Sequence, residues 1–161
     1  MDWVGWADWA WARHHNEWSW YIRPLILIAF CMAAWHRKLF LTVLLALFFP
    51  ISAVVFPAPQ VPKDFVIEFL SAERELLASM SALQLWGFVA LVVAFLTALA
   101  TAFWRRSLLW GLVVANLGGA IKLLFSLLAW GDTGQTALLP TLVTALVFNT
   151  VILYLLWKRT R

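Results

Sequence analysis

Lys122 has the most chemistry to offer, because it stands where a charge is expensive. It lies inside a run from Leu108 to Trp130. That run can cross a bilayer, since about 20 apolar residues suffice at roughly 1.5 Å each. If Trp130 marks the outer end, Lys122 sits about 12 Å below it, too deep for easy snorkelling along its own helix. A charge near mid-membrane costs about 3 kcal/mol on insertion scales, so a partner or a guest must offset it. At helical spacing Gly111, Ala115, Gly118, Lys122, Ser126 and Ala129 form one small, polar stripe on a helix otherwise rich in Leu, Val and Phe. The functional reading is binding or permeation of an anionic group drawn by the ammonium. A structural reading bonds it to carbonyls freed near Ala46 and Leu47 by Pro50, at about the same depth. A third pairs it with Glu17 or a loop carboxylate.

A second polar layer lies nearer the opposite end. Asn116, Asn149 and Thr97 fall at similar depths on three different runs. Interhelical hydrogen bonding, worth about 0.6 kcal/mol per bond, accounts for such a layer. The alternative is a polar lining that continues the path below Lys122. Gly118-Gly119 with Gly111 permits close helix approach, within the bundle or between subunits.

His14, His15, Glu17 and Arg23 make a polar cluster before the first long apolar run. Adjacent histidines cannot share a helix face, and the spacing matches no zinc ligand set, so no metal or other cofactor is expected. An interfacial polar cap is the commoner use, with Arg23 reaching lipid phosphate or Glu17. The outer-side serines, Ser19 among them, could join a Ser–His–acid set only by assumption. No Gly-rich phosphate loop and no helical His-x-x-x-His pair occurs.

These residues need a scaffold, and composition says which kind. The 161 residues are 64% hydrophobic and only 12% charged, where soluble domains carry about 25% charged residues. A soluble fold of this length could not hide so much apolar surface. One integral membrane domain over 1–161 is the economical reading. The net charge of +4 does not signal nucleic acid, because the basic residues sit at membrane edges rather than on a soluble face. The lone Cys31 excludes an intrachain disulfide and suits packing. The start, with Asp2 and tryptophans, lacks the basic n-region of a signal peptide.

Taken in order, residues 1–21 form a Trp-rich interfacial segment holding six of the twelve tryptophans. Spans are expected at about 22–35, 39–56, 83–104, 108–130 and 137–157, the first beginning near Pro24 or as early as Trp18. Pro50 lies inside the second, and Pro57, Pro59 and Pro62 end it. An outer loop helix is expected at about 64–80, with Val66, Leu70, Leu77 and Met80 on one face and Asp64, Glu68 and Glu75 on another. The fold class is therefore all-α: a bundle of five transmembrane helices with a peripheral amphipathic helix on the outer side.

Five spans put Arg37, Lys38, Arg105, Arg106, Lys158, Arg159 and Arg161 on one side with no acid among them. All eight acids fall on the other. By the positive-inside rule the N-terminus is outside and the C-terminus cytoplasmic, in a plasma or inner membrane. Trp35, Trp86, Trp104, Trp110, Trp130 and Trp157 fall near span ends, as an aromatic belt requires. Three functions fit this layout. The first is a transport or channel-type homo-oligomer in which Lys122, backed by Asn116, Asn149, Thr97 and Ser126, attracts an anionic solute or acidic lipid head group. The second is a membrane enzyme acting on a lipid-like substrate through His14, His15, Glu17 and Arg23. The third is a non-catalytic accessory subunit. The balance leans away from an enzyme, and beyond the bilayer the expected partners are further copies of the chain.

Overall fold

The structure is a computed structural model that describes residues 3–131, 134–135 and 138–160. Asp2, Asp132, Arg161 and the first residue of the expected fifth span, Ala137, lie outside the described residues. The protein is all-helical. In chain order the helices are α1 (Trp3–His14), α2 (Trp18–Tyr21), α3 (Arg23–Trp35), α4 (Leu39–Ile51), α5 (Asp64–Ser79), α6 (Ala82–Trp104), α7 (Leu108–Trp130) and α8 (Leu138–Thr160). Among the described residues four stretches are long and apolar enough to cross a membrane: Trp18–Trp35, Ala82–Trp104, Leu108–Ala129 and Leu138–Lys158. They are compatible with a multi-pass membrane protein.

Ile22 keeps a helical backbone, with φ −76° and ψ −24°, so α2 runs on into α3 and the first span starts at Trp18. Pro24 then sits in the first turn of α3, where its missing N–H costs nothing. The second expected span is shorter than 39–56. Beyond Pro50 the chain tightens into a 3₁₀ turn, Ser52–Val54, and Ser52 Oγ donates to Phe49 O at 2.6 Å. The apolar helix Leu39–Val54 falls below the length of the other four.

The two basic turns share one construction. Lys38 N–H donates to Ala33 O and Arg37 N–H to Ala34 O; Ser107 N–H donates to Ala102 O and Arg106 N–H to Phe103 O. These are the paired bonds of a Schellman helix ending, with Arg37 and Arg106 in the left-handed position at φ 54° and 56°. Glycine usually takes that position, and an arginine there gives up about 1 kcal/mol. Both turns thereby keep a cation at the helix end.

α3 packs against α4, α6 and α8, and α7 packs against α6 and α8. Helices α3, α6, α7 and α8 thus close a ring in which α3 and α7 stand on opposite sides. Near the basic turns the ring is filled by Leu27, Phe30, Cys31, Ala34, Leu99, Phe103, Leu108, Phe148 and Ile152. Phe103 and Phe148 meet edge to face at 6.1 Å. The other end is capped differently. There α5 lies on α1 and α2 through Trp20, Val66 and Leu70, with Trp11 and Phe69 beside them. Arg74 donates to Asp8 at 2.8 Å, and Lys63 pairs with Glu17 at 3.0 Å. The proline-rich loop is tied down as well: Arg13 Nε donates to Val54 O, and Asn16 Nδ2 to Pro57 O.

Candidate functional site

Helix α7 shows where Lys122 points. A side chain at Gly118 would collide with the Phe95 ring of α6, and one at Gly119 would touch Thr141 of α8. Lys122 is one turn from both, at i+4 and i+3, so it projects between these two contacts into the ring and toward α3. Arg23 lies on the α3 face that also carries Ser19 one turn before it and the buried Ile26, Leu27 and Phe30 after it. Counted from the basic turns, Arg23 stands roughly 18 Å up α3 and Lys122 roughly 21 Å up α7. The two cations face one another at one level.

The charged groups that act on Lys122 are Arg23 and Glu73. Among the described residues the ammonium makes no hydrogen bond or ion pair. Lys122 is nonetheless exposed. Toward the basic turns the ring is filled by the apolar cluster that includes Phe30, Leu99, Phe103 and Phe148. At the other end α5 meets the end of α1, where His14 Nε2 lies 3.8 Å from Glu73 Oε2. His14 is wedged between the rings of Trp11 and Trp20, at 6.0 and 6.4 Å.

Among the described residues four buried side-chain atoms lack a hydrogen-bond partner: Arg23 Nε, His14 Nδ1, Ser19 Oγ and Thr141 Oγ1. Buried polar atoms are satisfied in the great majority of cases, so these four stand out. Two basic side chains, Arg23 and Lys122, stand near one carboxylate, Glu73. Among the described residues Ser19 Oγ has no hydrogen-bond partner.

The expected residues separate into three places. Lys122 and Arg23 come together, and His14 joins them through Glu73. His15, Asn16, Glu17 and Lys63 line a different, more open pocket with Trp18, Tyr21 and Val61. There His15 Nδ1 is 2.8 Å from Trp11 O, and Glu17 spends its charge on Lys63 rather than on Arg23 or Lys122. The carbonyls near Pro50 do not receive Lys122 either. The third place is the amide layer. Asn116 and Asn149 exchange two hydrogen bonds, at 2.8 and 2.9 Å, and Asn116 also donates to Leu112 O. Thr97 does not join them; its hydroxyl donates to Val93 O of its own helix. Ser126 is buried one turn above Lys122, and a Cβ added at Gly134 would collide with the Ser126 backbone. Among the described residues no three His, Cys, Asp or Glu side chains group as metal ligands.

Glu73 is the residue that sequence reasoning missed. Its signal was present: it falls on the stripe Val66, Leu70, Leu77 and Met80, one turn from Leu70 and from Leu77. An acid on the apolar face of an amphipathic helix is carried toward whatever that face covers. Comparison with protein-family models, curated proteins and solved structures returns no match.

Proposed function

We propose that this is a multi-pass membrane protein of transport type that recognises an acidic group inside the bundle. Arg23 and Lys122 are its attractors, with Glu73 and His14 at the entrance. The observation that carries the reading is the Lys122 ammonium, held within a membrane-length helix and facing Arg23 without a bonding partner. An isolated charge there is unfavourable by about 3 kcal/mol, and an acidic guest offsets it. The glue reading needs a bond from Lys122 to carbonyl or carboxylate, and none is made among the described residues.

In this reading the chain crosses the membrane five times. Leu39–Val54 is the short second span, with α5 on the outer surface, the basic turns and C-terminus in the cytoplasm and the N-terminus outside. In a single copy the apolar cluster around Phe30, Leu99, Phe103 and Phe148 fills the ring toward the basic turns. Passage of a solute therefore follows rearrangement of that cluster or a path shared with symmetry mates in a homo-oligomer. The reading predicts measurable efflux of chloride, phosphate or acetate from vesicles holding the full chain, reduced at least about tenfold by Lys122→Met, the loss of one strong charge contact. Efflux unchanged by Lys122→Met removes the mechanism.

A further inference from the structure

We propose that the end of the bundle holding the basic turns binds anionic phospholipid, with Arg37 and Arg106 each holding a lipid phosphate of the leaflet around them. This site is separate from Lys122 and does not depend on it.

A short pattern recurs at that end three times. Trp35-His36-Arg37-Lys38, Trp104-Arg105-Arg106-Ser107 and Trp157-Lys158-Arg159-Thr160 each read tryptophan, a basic side chain, arginine, then lysine or a hydroxyl. The fold gathers all three together. α3 packs against both α6 and α8. Ala34, Phe103 and Leu156, the residues before the three tryptophans, belong to one apolar cluster or pack against it. Depth is set as well. Three membrane-length stretches end at Trp35, Trp104 and Lys158, so each tryptophan stands at a span end or one residue before it. Tryptophan rings favour the head-group level. An arginine two residues further on therefore stands among lipid phosphates, not in hydrocarbon.

Cations at helix ends also serve topology and the helix dipole. Both uses need charge alone, and a lysine in the last helical turn supplies it without strain. Arg37 and Arg106 instead take the left-handed position of their turns, where glycine fits better. What arginine adds there is a planar fork that meets a phosphate through two parallel hydrogen bonds. Arg37, Lys38, Arg105, Arg106 and Lys158 are exposed. Among the described residues none of these five makes an ion pair. No acid occurs in any of the three segments. A zwitterionic head group would bring an ammonium that finds no carboxylate here, whereas an anionic one brings its phosphate without that penalty.

The test places the full chain in phosphatidylcholine nanodiscs, with and without a minor fraction of phosphatidylglycerol. Thermal unfolding is followed, and native mass spectrometry counts the lipid released with the protein. The expected result is a higher unfolding temperature with phosphatidylglycerol, and its retention at least about fivefold above its share of the disc, the worth of one cation near a charged surface. Arg37→Gly combined with Arg106→Gly should stay folded in pure phosphatidylcholine, because glycine suits both turns. It should lose the phosphatidylglycerol effect and hold that lipid only at its share. Arg37→Lys combined with Arg106→Lys should keep part of the effect, since the charge stays and the fork goes. Arg74→Gln, at the other end of the bundle, and Lys122→Met should leave it whole. If the double glycine variant keeps the effect, the inference fails. If Lys38→Met, Arg105→Gln and Lys158→Met each lose as much as Arg37→Gly, the attraction is a diffuse field and the inference fails. If millimolar inorganic phosphate raises the unfolding temperature in pure phosphatidylcholine as much as phosphatidylglycerol does, the turns take free anions and the inference fails. Loss of the effect in Lys122→Met would place the lipid elsewhere and overturn it as well.

Discussion

Asn116 and Lys122 are polar residues on the same helix with opposite circumstances. Asn116 has spent its hydrogen-bonding capacity on Asn149 and Leu112, so its layer ties α7 to α8. Lys122 makes no hydrogen bond among the described residues. The amide pair makes a direct prediction. Asn116→Leu and Asn149→Leu should each lower stability by about 1 kcal/mol, because each strands a partner amide in an apolar setting. The double substitution should cost clearly less than the sum, since no amide is left unpaired. Thermal unfolding in detergent measures this, and strictly additive losses would mean the pair is not made. The likeness in level of Asn116 and Asn149 was legible in the sequence, because it follows from counting along helices. The partner of Lys122 was not legible: Glu17 and Glu73 are both acids on the same side of the chain's layout, and only packing decides that Glu17 turns to Lys63 and Glu73 to His14.

At the scale of elements, α5 links the site to the surface. Its apolar stripe follows from the sequence period, and its ends from Pro62 before it and the Ser81–Gln84 capping box after it. What the period could not say is what the stripe rests on. That is Trp20, a residue the interfacial preference of tryptophan places at the surface but which packs under Val66, Leu70 and Phe69. Trp20→Ala should therefore loosen α5 without unfolding the bundle, since its contacts are local to this cap. Amide hydrogen exchange is expected to quicken across residues 64–79 while α6, α7 and α8 keep their protection near the basic turns. Unchanged protection over 64–79 would show that α5 is held by something other than this aromatic contact. The shortened α4 has an equally local cause: Pro50 withholds a donor and Ser52 draws the chain into a tighter turn, effects that hydropathy alone does not register.

For the whole molecule, charge placement and apolar length carried the reading furthest. The cations at the two Schellman turns and the apolar runs between them follow from composition along the chain, and these set the order of the helices. The ring of α3, α6, α7 and α8 does not follow from them, because Gly118 could as well have met a second subunit as Phe95. That choice puts Lys122 on the side of α7 toward Arg23, between the apolar cluster at the basic turns and α5. The account stands or falls on what occupies the space between those two cations. The most direct measurement is a high-resolution density map of the full chain in a bilayer containing anionic lipid. The account predicts an acidic group bridging Arg23 Nε and the Lys122 ammonium. Lys122 bonded instead to the carbonyls of Ala46 or Leu47, or lying among lipid tails with no acidic group near it, would contradict it.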